Sequence, residues 1–80
     1  MVFVQLFAGA RESAGVGELS VEIPSGATVA ELRRTLANRT PALLPLLTRS
    51  RIAINQEFAD DSAIVSDGAE VALIPPVSGG

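Results

Sequence analysis

The spacing of hydrophobic positions changes several times along this 80-residue chain, and each change marks an element. The stretch VFVQLF, Val2 to Phe7, is rich in β-branched and aromatic residues and predicts a strand. RESAGVG is polar and glycine-containing, and Gly15 to Gly17 read as the turn of a hairpin. ELSVEIP alternates Leu19, Val21 and Ile23 with polar neighbours, the period of a half-buried strand paired with the first. Pro24 ends it, and Ser25-Gly26 turn the chain.

The period then lengthens. In TVAELRRTLANR, Val29, Leu32 and Leu36 recur at steps of three and four, which places them on one helix face. Thr28 is a suitable N-cap, and Glu31 three residues later completes a capping box. Arg39 sits near the C-terminal, negative end of the helix dipole. Thr40-Pro41 stops the helix, because a residue before proline avoids the helical region. ALLPLL is an apolar connection with the length of a short helical turn covering one end of the core. A strand at Ile52 to Ile54, a turn at Asn55-Gln56 and a short return near Phe58 follow. Asp67-Gly68 give a tight turn, and EVALI, Glu70 to Ile74, is a last strand whose apolar run suits a central position covered on both faces.

The order ββαβββ, with a short fourth strand, predicts an α+β domain over residues 1–74. The compact arrangement is a β-grasp, or ubiquitin-like, fold: a mixed sheet of four to five strands, one main helix, and the first and last strands parallel at the centre. A ferredoxin-like alternative needs a second full helix that the pattern does not supply. One helix covers one face of a sheet. Val2, Val4, Leu6, Val71 and Leu73 then face the helix, and Phe3, Gln5, Phe7, Ala72 and Ile74 face away, joined by Phe58. An apolar patch of that size on an uncovered face marks a protein partner.

Composition narrows the chemistry. There is no Cys and no His, so thiolate and imidazole metal sites and the usual general base are excluded, and no metal site is expected. All six basic residues are Arg, which excludes a lysine Schiff base, a P-loop lysine and a side-chain amine for isopeptide linkage. A net charge of −3 argues against nucleic acid. No apolar run approaches the roughly 18 residues of a membrane span, and MVFVQLF lacks the features of a signal peptide, so a cytoplasmic protein without membrane contact is expected.

The end of the chain, PPVSGG, is the most informative stretch. Pro75 has no N–H and cannot extend the ladder, and Pro75-Pro76 favour an extended conformation that leads residues 75–80 off the domain as a flexible tail. Val77 to Gly80 then reach about 13–14 Å at full extension. Gly79 and Gly80 pass a constriction that a Cβ would block. The reactive group at the tip is the Gly80 carboxylate, a nucleophile toward the α-phosphate of ATP, and the acyl adenylate so formed is open to attack by sulfur or nitrogen.

FAGARE, TVAELRRTL, AINQEF and DGAEVALIPPVSGG together resemble the small subunits of molybdopterin synthase, the MoaD-like branch of the ubiquitin-like sulfur carriers. The resemblance covers most of the chain, and the ending after Asp67-Gly68 is its specific part. It implies that Gly80 is adenylated by an E1-like enzyme using ATP, converted to a thiocarboxylate, and inserted into a large synthase subunit, where it donates sulfur to cyclic pyranopterin monophosphate. The chain itself is expected to bind no cofactor and to catalyse nothing alone. Two carriers and two large subunits form the implied heterotetramer. Phe7, Phe58 and Ile74, with Pro75, Pro76 and Val77 of the tail stem, match the implied docking surface. Arg11 and Glu12 also match, either in an unassigned role or as a structural salt bridge. Three other readings remain open: a sulfur carrier for thiazole or cysteine synthesis, a protein modifier joined through Gly80, and a plain interaction domain.

Overall fold

The computed structural model describes residues 1–75; the stem residues Pro76 and Val77 and the tip Gly79-Gly80 lie outside the described residues. Five strands form one mixed sheet: β1 (Val2–Leu6), β2 (Glu18–Val21), β3 (Arg51–Ile54), β4 (Glu57–Ala59) and β5 (Glu70–Ile74). Their spatial order is β2-β1-β5-β3-β4. β1 runs parallel to β5, with Val4 opposite Val71 and Leu6 opposite Leu73, and every other pairing is antiparallel. The last strand is therefore central, as its apolar run predicts. Only one of its faces is fully covered, however: Val71 and Leu73 are buried while Ala72 and Ile74 are half-buried.

Helix α2 (Val29–Arg39) crosses the covered face. Its buried Val29, Leu32 and Leu36 meet Val2, Val4, Leu6, Ile52, Val71 and Leu73 from the sheet. Full burial of one such aliphatic side chain is worth about 1.5–3 kcal/mol, so this layer is the main source of stability. The capping box forms as the sequence indicates: the Thr28 hydroxyl accepts from the Glu31 amide at 3.3 Å, and the Glu31 carboxylate accepts from the Thr28 amide at 3.4 Å. Two further amides of the first turn are satisfied by the chain before β5, Val29 donating to the Ala63 carbonyl and Ala30 to that of Asp61. ALLPLL becomes a 3₁₀ turn (Pro41–Leu43) running into a short helix, α3 (Leu44–Leu47), that buries Leu43 and Leu47 against the core.

The connection between β1 and β2 differs from the expected hairpin turn. Residues Ala8–Ala14 form a helix, α1, that buries Ala10 and ends at Gly15, whose φ of +79° is the left-handed conformation that glycine adopts without cost. The helix closes the end of the core, which a tight turn would leave open. The two later turns match their sequences. Asn55 and Gln56 both have positive φ, as a two-residue type I′ hairpin requires, and Gly68 has a φ of +78° in the turn before β5. Asn55 is also tied to the start of β5, where its side-chain oxygen accepts from the Glu70 amide at 3.1 Å.

Candidate functional site

The face of the sheet away from α2 is uncovered, and its composition follows from the pleat. One row of side chains crosses all five strands: Glu18, Gln5, Ala72, Ala53 and Phe58 lie opposite one another in turn. The two alanines in the middle make the face concave, because larger neighbours rise around them. Phe7, Phe58 and Ile74 border a depression of about 320 Å³ floored by Ala53 and Ala72. Phe7 and Phe58 are 49% and 57% exposed, high values for side chains of this size, and Phe3 adds a third exposed ring on the same face. Phe58 stands on β4, opposite Ala53.

Phe7 owes its direction to the end of β1. It keeps extended backbone angles, φ −126° and ψ 156°, so it continues the outward series Phe3, Gln5, Phe7. Its carbonyl accepts from the Ala10 amide at 3.0 Å, which starts α1 immediately behind the ring. At the opposite corner, the Arg51 guanidinium carbon lies 3.9 Å from the centre of the Phe58 ring. Sequence reasoning passes over Arg51, since the contact depends on the diagonal offset between β3 and β4. Ile74 faces Arg51 across the β3–β5 ladder, and Pro75 follows it directly, half-buried. Phe7, Phe58 and Ile74, expected as docking residues, thus converge on one depression, and Pro75 follows Ile74 at its end. The expected salt bridge of Arg11 and Glu12 does not form among the described residues. Both side chains are exposed, and the Arg11 guanidinium lies against Gly17 in the α1–β2 connection.

Among the described residues there is no cluster of three or more acidic side chains with metal-binding geometry, and no helix is long and apolar enough to cross a membrane. The depression offers apolar contact from Phe7, Phe58 and Ile74 and side-chain polarity from Gln5, Gln56 and Glu70.

A mixed five-stranded sheet, parallel at its centre and crossed by one main helix, defines a ubiquitin-like β-grasp protein. Within that class the chain belongs to the ThiS family, whose model matches residues 4–80. The molybdopterin synthase sulfur carrier subunit of Arabidopsis thaliana is 43% identical over 77 residues, spanning 96% of this chain and 80% of the relative. The human protein of the same name is 30% identical over 82 residues, spanning 99% of this chain and 93% of its own length. Among solved structures, SAMP1 from Haloferax volcanii superimposes with a TM-score of 0.88 at 31% identity, covering 99% of this chain and 98% of that one. A complex of subunits 1 and 2 of the molybdopterin-converting factor from Helicobacter pylori contains a chain with a TM-score of 0.70 at 25% identity, with coverage of 99% and 97%.

Proposed function

We propose that the chain is the sulfur carrier subunit of a molybdopterin synthase, working in the cytoplasm. The observation that carries this reading is the continuity between the apolar depression and the stem of the tail. Phe7, Phe58 and Ile74 form a surface suited to a protein partner, and β5 leads from it straight into PPVSGG. The chemistry needs no side chain of the domain. The Gly80 carboxylate attacks the α-phosphate of ATP on an E1-like enzyme, forming an acyl adenylate and releasing pyrophosphate. A sulfur donor then displaces AMP to leave a thiocarboxylate.

The carrier docks its open face on the large subunit, and Gly79 and Gly80 enter that subunit's active site. Sulfur passes to cyclic pyranopterin monophosphate, and water returns oxygen to the Gly80 carbonyl carbon. Two carriers and two large subunits make the working assembly. The subunit names of the Arabidopsis and human relatives, and the subunit complex from Helicobacter pylori, support this partner.

A second reading has support from several solved neighbours. SAMP1 is named a small archaeal modifier protein in its Methanosarcina acetivorans form, which superimposes with a TM-score of 0.80 at 30% identity. A modifier would use the same acyl adenylate but join Gly80 to an amine of another protein. Intact-mass spectrometry after incubation with the E1-like enzyme, ATP and a sulfur source separates the two. The carrier gains one sulfur in place of one oxygen and, with the large subunit, makes molybdopterin; a chain lacking Gly80 does neither. Normal molybdopterin synthesis by that truncated chain would sink the carrier reading, and Gly80-linked conjugates without it would favour the modifier.

A further inference from the structure

Arg51 is the one cation among the strand residues of the open face, and it stands at the end of the depression nearest the tail. It is exposed, and neither ion pair among the described residues, Met1 with Asp67 or Arg33 with Asp61, includes it. Asp60, just after β4, forms no ion pair with it, and of the other acids of this face Glu70 lines the depression at its other end. Glu70 is at the far end of β5 from Ile74, and Glu18 is on β2, three strands from β3. The Phe58 ring lies against the guanidinium, whose carbon is 3.9 Å from the ring centre, and a guanidinium so placed keeps N–H groups free to donate. A guanidinium fixed this way loses little freedom on forming a two-pronged bond to a carboxylate.

Docking through the depression covers this rim and removes its water. Desolvating an unpaired guanidinium is costly, so an anion facing Arg51 favours a partner that seats on Phe7, Phe58 and Ile74. We propose that Arg51 reads a carboxylate on the docked partner, an acidic side chain at the border of an otherwise apolar contact surface. Glu18 and Glu70 repel the same carboxylate at the other end of the face, so the pairing also fixes which way the partner lies and where it meets the tail. This inference rests on the proposed docking of the open face in molybdopterin synthase.

The test is a calorimetric titration of the full chain with the large synthase subunit at low and at high salt. Arg51→Gln is expected to weaken binding about tenfold or more at low salt and to flatten its salt dependence. Arg51→Glu is expected to lose about a hundredfold. Arg51→Lys keeps the charge but not the planar stack, and is expected to fall between native and Arg51→Gln. Circular dichroism verifies that each exposed substitution leaves the fold unchanged. Equal affinity and equal salt dependence for the native chain and Arg51→Gln would overturn the inference while leaving the carrier reading intact. Absence of binding by the native chain would overturn both.

Discussion

Ala72 on β5 lies opposite Ala53 on β3, and these two methyl groups are what make the open face concave. Filling the hollow should separate recognition from folding. Ala72→Leu places a branched side chain on a half-buried strand position that has room for it. The thermal midpoint is expected to change by no more than a few degrees, roughly the effect of 1 kcal/mol in a domain of this size. Binding to the large subunit is expected to drop at least about tenfold, because an overfilled contact no longer closes. Native affinity in a titration of Ala72→Leu would show that the depression is not the contact.

The border of the hollow should behave likewise. Phe7→Asp and Ile74→Asp put a charge where the free monomer meets water and the complex does not. Folding tolerates that charge, whereas burying it unpaired at an interface costs several kcal/mol for Phe7→Asp, and Ile74→Asp removes an apolar contact and occupies the facing Arg51. Far-ultraviolet circular dichroism is expected to match the native chain, with complex formation lost by gel filtration. Unfolding of both variants would mean that their folded-state packing outweighs their part in docking.

The opposite side of the molecule offers a contrasting case. The Arg33 guanidinium on α2 donates to Asp61 at 3.0 Å, to the Leu47 carbonyl, and to the Ser50 carbonyl at 2.8 Å. Three separate segments meet at one side chain. Arg33→Met leaves two partly buried carbonyls without this donor and is expected to cost about 1–3 kcal/mol in urea unfolding. Asp61→Asn removes only a partly exposed ion pair and is expected to cost less than about 1 kcal/mol. Equal losses would show that the ion pair, not the carbonyl bonds, is what matters. Partner binding should be unchanged in both, since α2 lies across the sheet from the hollow.

A pH effect is expected at the start of the chain. The Met1 ammonium hydrogen-bonds the Asp67 carboxylate and attracts its charge, holding that carboxyl below its ordinary value. A carboxyl lowered in the folded state stabilises above its unfolded value and loses that contribution as pH falls through the folded one. Stability should therefore decline in acid from the ordinary Asp value of 3.8 downward. Asp67→Asn should shrink this decline slightly, and an extension that removes the free amine at Met1 should do the same. Urea midpoints at a series of acidic pH values measure it; identical pH profiles for native and variant would contradict the linkage.

Much of this architecture is written in local pattern. Val2, Val4 and Leu6 against Phe3 and Phe7 already state which way the first strand faces, and Thr28 with Glu31 states where α2 begins. Helix α1 carried no such statement. It begins at Phe7 without a side-chain cap and buries only Ala10, so it has no apolar stripe to read. Its remaining signals are the helix-favouring Ala8, Ala10, Arg11, Glu12 and Ala14 and the glycine that ends it. The stacking of Arg51 on Phe58 was equally silent, because it arises from the offset of two strands joined by a left-handed turn. The outward placement of Phe7, Phe58 and Ile74 was legible because period-two alternation and a single covering helix leave them nowhere else to point.

The place of β5 between β1 and β3 has a consequence for synthesis on the ribosome. Phe3 pairs with Glu70, so the middle of the sheet is among the last parts of the domain to be made. Until Glu70 to Ile74 emerge, β1 and β3 have no strand to join them, and Val4, Leu6 and Ile52 lack part of their cover. Folding waits for long-range pairing rather than proceeding as the chain appears. The strand that completes the domain is the one that leads into Pro75. A nascent chain therefore acquires its core and the floor of its open face in the same stroke, and a chain cut short before β5 presents a protease with an open sheet.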